Sequence, residues 1–103
     1  MIDIGVNISR LSLSNPTVLA SGAMGWNGEY LKKCADAGAG AVIPKTIAPK
    51  QTKHPRNGRM RLVRVDKKAI GMINLELFST LPLERWLKMD LERAAEGGVP
   101  IIA

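Results

Sequence analysis

The sequence has only one cysteine, Cys34, in 103 residues. A single thiol cannot form an intrachain disulfide, nor can it supply a zinc or iron–sulfur site built from several cysteines. Because disulfides are rare in reducing compartments, this usage favours a cytoplasmic protein. Cys34 falls on the apolar face of a predicted helix, which indicates a packed thiol rather than a nucleophile. We predict no metal site.

Long apolar runs are also missing. The longest stretch without a charged residue, residues 11–28, is interrupted by Asn15, Pro16 and several glycines. A membrane-spanning helix needs about 20 mostly apolar residues. A signal peptide needs a basic segment followed by an apolar one. Neither pattern is present, so we predict no membrane partner.

Aromatic residues are scarce, and they are absent where the basic residues concentrate. Residues 45–68 hold nine Lys or Arg against one acidic residue, Asp66, in a chain of net charge +6. No aromatic residue lies between Tyr30 and Phe78, whereas surfaces that bind single-stranded nucleic acid combine basic with aromatic side chains. We therefore predict no nucleic-acid partner. A solvated surface loop is the first interpretation of this segment, and contact with an anion or a second subunit is the alternative.

Strand and helix patterns alternate along the chain. Residues 3–14 alternate apolar with polar side chains, which predicts a β-hairpin. Amphipathic helices are predicted from Glu29 to Gly38 and from Pro82 to Gly97. The core-facing stripe of the second helix is predicted to contain Leu83, Trp86, Leu87, Leu91 and Ala94. Further strands are predicted at residues 17–20, 41–43, 62–65, 69–73 and 99–103, the last parallel to the strand before it. This order predicts an α/β fold.

Residues capable of chemistry follow two of these strands. Ser21 and Gly22 come directly after the strand at residues 17–20, and Lys45 and Thr46 come after the strand at residues 41–43. Parallel α/β enzymes gather their working groups at the carboxyl ends of the strands. These residues are therefore candidates for a common site.

Asn74 and Glu76 follow the strand at residues 69–73. In extended backbone, residues two apart project to the same side, which would suit a ligand site. Turn or helix-start chemistry at Asn74 and Ser79 is an equal alternative. His54, the sole histidine, has no partner at a recognisable spacing, so we predict a solvent-exposed side chain with no catalytic role.

The order and spacing of several motifs resemble the dihydroorotate dehydrogenase family. The motifs are Ala20-Ser21-Gly22, Lys45-Thr46 and Ile70-Gly71-Met72-Ile73-Asn74, supported by Leu13-Ser14-Asn15-Pro16, Glu29-Tyr30 and His54-Pro55-Arg56-Asn57-Gly58. This family comprises FMN enzymes on a TIM (β/α)8 barrel and includes the flavin domain of dihydropyrimidine dehydrogenase. The resemblance covers nearly the whole chain. It implies that residues 1–103 are the N-terminal segment of a single FMN-binding barrel domain. The domain is incomplete in this chain, and the β-hairpin forms its N-terminal end.

The resemblance also implies roles for individual residues. Ala20, Ser21 and Gly22 would lie against the isoalloxazine ring, where larger side chains would collide. Lys45, with Thr46 beside it, would lie at the N1/O2 edge of the ring, where a positive charge stabilises the reduced flavin. The substrate-binding residues would be Lys45, Gly71, Met72, Asn74 and Glu76. Hydride passes between pyrimidine C6 and flavin N5 in this family, and the Cys or Ser base is expected after residue 103, so no catalytic residue is predicted here.

Departures from the family pattern leave the substrate open. Lys68 stands where dihydroorotate dehydrogenases usually have asparagine, and it could act as a replacement partner for a carboxylate. Asn74-Leu75-Glu76-Leu77 looks more like dihydropyrimidine dehydrogenase, whose substrates uracil and thymine carry no carboxylate for Glu76 to repel. Our first expectation is oxidation of dihydroorotate to orotate in pyrimidine biosynthesis, with reduction of uracil or thymine as the alternative. A non-enzymatic, anion-binding α/β module is the alternative from another class. Expected partners are the pyrimidine, further copies of the chain in a homo-oligomer, and an electron-transfer subunit.

Overall fold

The structure is a computed structural model that describes residues 2–51, 53–55 and 59–103. Arg56, Asn57 and Gly58 of the predicted loop motif lie outside the described residues. The strands in the described part are β1 (Val6–Ile8), β2 (Leu11–Leu13), β3 (Val18–Leu19), β4 (Ala41–Val42), β5 (Met60–Val65) and β6 (Lys68–Asn74). The helical segments of the described part are a 3-10 turn (Ala23–Gly25), α1 (Gly28–Asp36), α2 (Leu83–Arg85), a π-helical turn (Trp86–Asp90) and α3 (Leu91–Ala95). Within these described ranges, no helix is long and apolar enough to cross a membrane.

Strands β1 and β2 form the predicted N-terminal hairpin. They pair antiparallel, with Val6 opposite Leu13 and Ile8 opposite Leu11. Ser9 has a φ of 53° at the turn between them, a left-handed conformation of the kind that tight hairpin turns need. Leu13 is buried, whereas Ile8 remains exposed, so only one end of the hairpin contacts the rest of the chain.

A parallel β-α-β unit forms the centre of the molecule. β3 pairs parallel with β4, Val18 opposite Ala41 and Leu19 opposite Val42. Val42 also makes a parallel bridge to Ile101, since its N–H donates to Pro100 O at 3.0 Å and its carbonyl accepts from Ile102 N at 3.0 Å. Three successive segments thus run in the same direction, and α1 makes the crossover between the first two. The predicted α/β class is confirmed.

Strands β5 and β6 correspond to the strands predicted at residues 62–65 and 69–73, and they pair antiparallel with each other. The prediction that residues 99–103 run parallel to the strand at 69–73 is wrong, because Ile101 pairs parallel with β4 and β6 pairs with β5. The cause is the two-residue turn at Asp66 and Lys67, whose φ values of 49° and 66° fit a hairpin turn that matches the twist of its strands. Both strands are mostly exposed.

Helix α1 begins and ends at identifiable residues. The Asn27 side chain accepts a hydrogen bond from Tyr30 N and caps the first turn, which is the usual role of asparagine at this position. Gly38, with a φ of 104°, ends the helix, because a residue with a side chain rarely adopts that conformation. The predicted helix boundaries are confirmed to within two residues.

The second helical segment comprises α2, the π-helical turn and α3, and it is wider in its middle because of the π-helical turn. Trp86 and Asp90, its first and last residues, are both buried. Asp90 accepts from Gly28 N at 2.8 Å and from Arg85 Nε at 2.9 Å. A side chain at Gly28 would overlap the Asp90 backbone, so glycine permits the close approach of α1. The predicted stripe is wrong at Leu87, which is 63% exposed, because Trp86 and Asp90 occupy the buried side of the wider turn.

The hydrophobic core lies between α1, β4 and the second helical segment. Its buried residues are Leu31, Ala35, Val42, Trp86 and Ala94. Cys34 is half-buried and packs against this cluster, as expected for a packed thiol. Because Val42 of β4 belongs to this core, the core fixes the end of the strand that precedes Lys45.

Candidate functional site

The carboxyl ends of the three parallel segments meet at one edge of the sheet. Ala20 and Ser21 follow β3, Lys45 follows β4 by three residues, and Ile102 follows the bridge at Ile101. Pairing continues just past the strand ends, since Ile43 N donates to Leu19 O at 2.9 Å. This edge is where parallel α/β folds bind ligands.

Two adjoining clefts open at this edge. The first has a volume of about 230 Å³ and is lined by Ser21, Gly22, Ala23, Lys45, Thr46, Glu76, Leu77 and Phe78. The second, of about 240 Å³, is lined by Ser21, Ile43, Pro44, Thr46, Ile47, Ile102 and Ala103. We call the first the polar cleft and the second the apolar cleft. Ser21 and Thr46 line both, so together the clefts form a continuous concave surface with one polar and one apolar half.

Lys45 is the most constrained residue of the polar cleft. Only 6% of its side chain is exposed, and its Nζ lies 3.0 Å from Glu76 Oε2. Its backbone N–H donates to Gly25 O at 2.9 Å. A Cβ atom on Gly25 would lie 2.7 Å from Ile43 O and 2.8 Å from Lys45 N, so only glycine allows this contact. The main chain of Lys45 is therefore fixed by its hydrogen bond to Gly25, and its ammonium is fixed by the ion pair with Glu76.

Glu76 is paired from two sides. Lys45 contacts Oε2, while Arg59 NH1 lies 3.3 Å from Oε1. The hydrogen bond from Lys45 lowers the pKa of the Glu76 carboxyl below its ordinary value; desolvation acts in the opposite direction, and the positive charges of Lys45 and Arg59 lower it further. Two cations thus face one carboxylate, which leaves one positive charge in excess at this side of the cleft.

The lowered pKa of Glu76 has a consequence for stability in acid. A carboxyl with a lower pKa in the folded state stabilises the fold above its unfolded pKa, and this contribution disappears as pH falls through the folded value. We expect Glu76→Gln to flatten the loss of stability as pH falls below about 4.5, as measured by urea unfolding at a series of pH values. Glu84→Gln gives the generic effect of removing one exposed carboxylate. A Glu76→Gln curve with the wild-type slope would contradict the ion pairing described.

Ser79 joins the loop after β6 to the Lys45 segment, and sequence reasoning did not assign it this role. Its N–H donates to Thr46 O at 2.8 Å. Its Oγ accepts from Trp86 Nε1 at 3.0 Å and from Leu81 N at 3.1 Å. The sequence indicates turn chemistry at Ser79, but the partners at Thr46 and Trp86 follow only from tertiary packing. Ser79 thus fixes the wall formed by Glu76, Leu77 and Phe78.

The predicted site residues are distributed unevenly. Ser21, Gly22, Lys45, Thr46 and Glu76 come together in the polar cleft, and Ala20 is the exposed neighbour of Ser21. Asn74 uses its Oδ1 to accept from Glu76 N at 3.3 Å, which is the turn chemistry given as one of its two alternatives.

Gly71 and Met72 do not join the cleft lining. Both lie in β6 and are exposed, because β6 pairs with β5 rather than with the parallel segments. Lys68 begins β6 and Asn74 ends it, a separation of about 20 Å along an extended strand. That Lys68 could act as a replacement partner for a carboxylate stays a prediction.

His54 also differs from its prediction. Its ring is half-buried, with Nε2 at 3.0 Å from Phe78 O and Nδ1 at 2.9 Å from Arg59 NH1. The prediction of a solvent-exposed side chain is wrong, because His54 contacts Phe78, which lies 24 residues later, and Arg59, which lies 5 residues later. No local spacing pattern reports partners of this kind.

Comparison with known proteins gives a consistent set of relatives. No family model matches the chain. It is 38% identical over 101 residues to the dihydroorotate dehydrogenase B (NAD(+)) catalytic subunit of Methanocella arvoryzae, with 97% of this chain and 31% of that protein covered. It is 39% identical over 100 residues to the subunit of the same name from Methanosarcina acetivorans, covering 94% of this chain and 30% of the relative.

A relative with a different name matches about equally well. The chain is 38% identical over 100 residues to the chloroplastic dihydropyrimidine dehydrogenase (NADP(+)) of Arabidopsis thaliana, with 88% of this chain and 23% of that protein covered. The chain thus spans less than a third of the length of each of these relatives. The homologues over nearly all of its residues are dihydroorotate and dihydropyrimidine dehydrogenases, which is consistent with an N-terminal segment of the dihydroorotate dehydrogenase family.

Proposed function

We propose that this chain contributes the flavin-facing and substrate-facing edge of an FMN-dependent dihydroorotate dehydrogenase. In this proposal the enzyme oxidises dihydroorotate to orotate in pyrimidine biosynthesis. The observation that carries it is the polar cleft, where Lys45, Glu76 and the Ser21-Gly22 turn converge at the carboxyl edge of parallel segments. The dehydrogenase relatives favour this class over a non-enzymatic, anion-binding module.

The proposed architecture is a TIM (β/α)8 barrel, with residues 1–103 as the N-terminal segment of its single domain. Support comes from β3, α1 and β4, which form a parallel crossover unit, and from Ile101, which adds the next parallel segment beside β4. In such barrels consecutive strands are neighbours and the active site lies at their carboxyl ends. The N-terminal hairpin precedes this unit.

The residues of the cleft fit the ring of FMN. Ala20, Ser21 and Gly22 present little side-chain volume, and a Cβ atom on Gly22 would meet no neighbour nearer than Ala20 O at 4.0 Å. The space above this turn therefore admits a flat ring. Lys45 and Thr46 offer an ammonium and a hydroxyl, donors that suit the carbonyl and nitrogen acceptors of the pyrimidine edge of a flavin.

In this proposal, bound FMN supplies the two-electron acceptor for oxidation of the reduced pyrimidine. Lys45 would hold a fixed positive charge beside the ring edge where negative charge develops, and its backbone and ion-pair contacts keep that charge in place. The apolar cleft, with Ile43, Pro44 and Ile102, would exclude water from the opposite side of Ser21. No residue of this chain is proposed as the catalytic base.

The charges of the polar cleft favour an anionic substrate. Lys45 and Arg59 together exceed the charge of Glu76 by one, so a dihydroorotate carboxylate would meet a positive local field. Uracil or thymine reduction is the second candidate, favoured by the Arabidopsis dihydropyrimidine dehydrogenase relative and by the presence of Glu76 in the lining.

Turnover with the two substrate classes tests the proposal. This chain alone is expected to be inactive because the proposed barrel is incomplete, so the full-length enzyme that contains residues 1–103 is purified with FMN. Loss of the flavin's visible absorbance is followed after addition of dihydroorotate. Separately, the flavin is reduced with dithionite, and its reoxidation is followed after addition of uracil without oxygen. We expect dihydroorotate to bleach the flavin, and we expect Glu76→Gln to increase that rate by removing a repelling charge while impairing any turnover of uracil. Turnover of uracil alone would select the second candidate, and turnover of neither would reject the enzymatic proposal.

The proposal includes the expected setting of the enzyme. We propose a cytoplasmic homo-oligomer that works with an electron-transfer subunit, and the relatives named as catalytic subunits support the last of these points. The exposed basic hairpin of β5 and β6 is available for such a contact.

A further inference from the structure

His54, Arg59 and Glu76 form a continuous polar chain behind the polar cleft. Arg59 NH1 lies 3.3 Å from Glu76 Oε1 and 2.9 Å from His54 Nδ1. The other ring nitrogen of His54 lies 3.0 Å from the carbonyl oxygen of Phe78. Glu76 and Phe78 both line the cleft, whereas His54 and Arg59 do not. This row of polar side chains therefore reaches the wall of the cleft from outside, at Glu76 and at Phe78.

The two neighbours of His54 determine its tautomer. A carbonyl oxygen can only accept, so Nε2 must carry the proton that is donated to Phe78 O. A guanidinium can only donate, so Nδ1 must be the acceptor for Arg59. The ring is then neutral, with its proton on Nε2. In this form both ring nitrogens are used, and the Arg59 guanidinium is directed between His54 and Glu76.

We propose that Arg59 and His54 are positioning residues that make the cleft select pyrimidines bearing a carboxylate. This inference rests on the proposed function. Lys45 alone would only balance the charge of Glu76, whereas the added charge of Arg59 leaves the positive excess that a substrate carboxylate would meet. Arg59 acts through Glu76 by drawing Oε1 away from the cleft. His54 acts through Arg59 by giving its NH1 group a second fixed partner.

The binding test uses orotate and uracil as probes, since they differ by the carboxylate. Dissociation constants are measured by calorimetry on the full-length, FMN-loaded enzyme that contains residues 1–103. We expect Arg59→Gln to weaken orotate binding about tenfold, equivalent to about 1.4 kcal/mol, and to change uracil binding less than about twofold. Arg59→Lys keeps the charge but loses the fork geometry of a guanidinium, so we expect an intermediate loss for orotate.

Two substitutions at His54 separate its two hydrogen bonds. Asparagine carries an oxygen near the position of Nδ1 and can keep the bond from Arg59. Glutamine carries its amide nearer the position of Nε2 and can keep only the bond to Phe78 O. We expect His54→Asn to retain the wild-type preference for orotate over uracil. In His54→Gln we expect the ratio of the two dissociation constants to change about threefold against orotate. The reverse order would overturn the role assigned to the Arg59 contact.

A spectroscopic measurement is independent of substrate and activity. His54 is the sole histidine of these 103 residues, and nitrogen-15 labelling of histidine, with His54→Asn to assign the signals, reports on its ring in the full-length enzyme. We expect the wild-type protein to show the neutral tautomer with its proton on Nε2, and Arg59→Gln to shift the Nδ1 signal. A proton on Nδ1 in the wild type would overturn the inference.

The outcomes distinguish this inference from the function on which it rests. Wild-type protein that binds neither orotate nor uracil would overturn the proposed function, and this inference with it. Wild-type protein that binds orotate, combined with Arg59→Gln protein that binds it equally well, would overturn the inference alone. Parallel losses for orotate and uracil in Arg59→Gln would also overturn it, because a general structural role would weaken both.

Discussion

Lys45→Met is expected to lower the rate of dihydroorotate-dependent flavin reduction by about two to three orders of magnitude, the effect of removing one preorganised charge-stabilising donor from an active site. Methionine keeps most of the length of the side chain and removes only the charge. Lys45 is 6% exposed and paired with Glu76 at 3.0 Å, so no other group of the described cleft lining can take its position. Single-turnover kinetics measure the effect.

The fold is expected to survive this substitution. The backbone N–H of residue 45 still donates to Gly25 O, and Glu76, with 41% of its side chain exposed, retains Arg59 and solvent as partners. Lys88→Met, at an exposed position in the π-helical turn, is the matched control. Wild-type reduction kinetics in Lys45→Met protein would remove Lys45 from its proposed role, whereas loss of the folded state would show that the residue is mainly structural.

Trp86→Ala is expected to destabilise the protein by about 3–5 kcal/mol, which is a large part of the total stability of an ordinary domain. Trp86 is fully buried at the centre of the core cluster. Its removal leaves a cavity and also deprives Ser79 Oγ of the hydrogen bond from Nε1 at 3.0 Å. Urea unfolding followed by circular dichroism measures the change.

Trp86→Phe separates packing from hydrogen bonding in this prediction. Phenylalanine keeps an aromatic ring but cannot donate to Ser79, so we expect a smaller loss of stability, of about 1–2 kcal/mol. The cleft wall is also expected to loosen, because Ser79 connects Trp86 with Thr46 O. A loss below about 1 kcal/mol for Trp86→Ala would contradict the central position of this side chain in the core.

Local patterns predicted most of the elements. The alternation at residues 3–14, the glycine after α1 and the polar residues after β3 and β4 are properties of neighbouring residues, so a sequence can report them. Because parallel strands share one carboxyl edge, the convergence of Ser21, Lys45 and Thr46 also followed from the order of the elements.

The remaining features depend on contacts between distant residues. Nothing near Gly25 indicates that the backbone at Ile43 and Lys45 lies against it. The bonds of His54 to Phe78 and of Ser79 to Thr46 form only after the loop following β6 packs over the strand ends. The pairing of β5 with β6 depended on two left-handed turn residues that are not glycines. Glycine and asparagine are the usual signals for such a turn, so the sequence offered little warning.

The burial of Lys45 determines how its charge responds to ionic strength. Dissolved ions screen charges that lie in water over about 8–10 Å at physiological salt, but they reach buried pairs far less. The exposed ion pair between Arg93 and Glu29 will therefore weaken as salt is added. The ammonium of Lys45 is only 6% exposed, so it is expected to be screened less, even though its partner Glu76 is 41% exposed. Its field should thus change less with salt concentration than the field of the surface ion pairs.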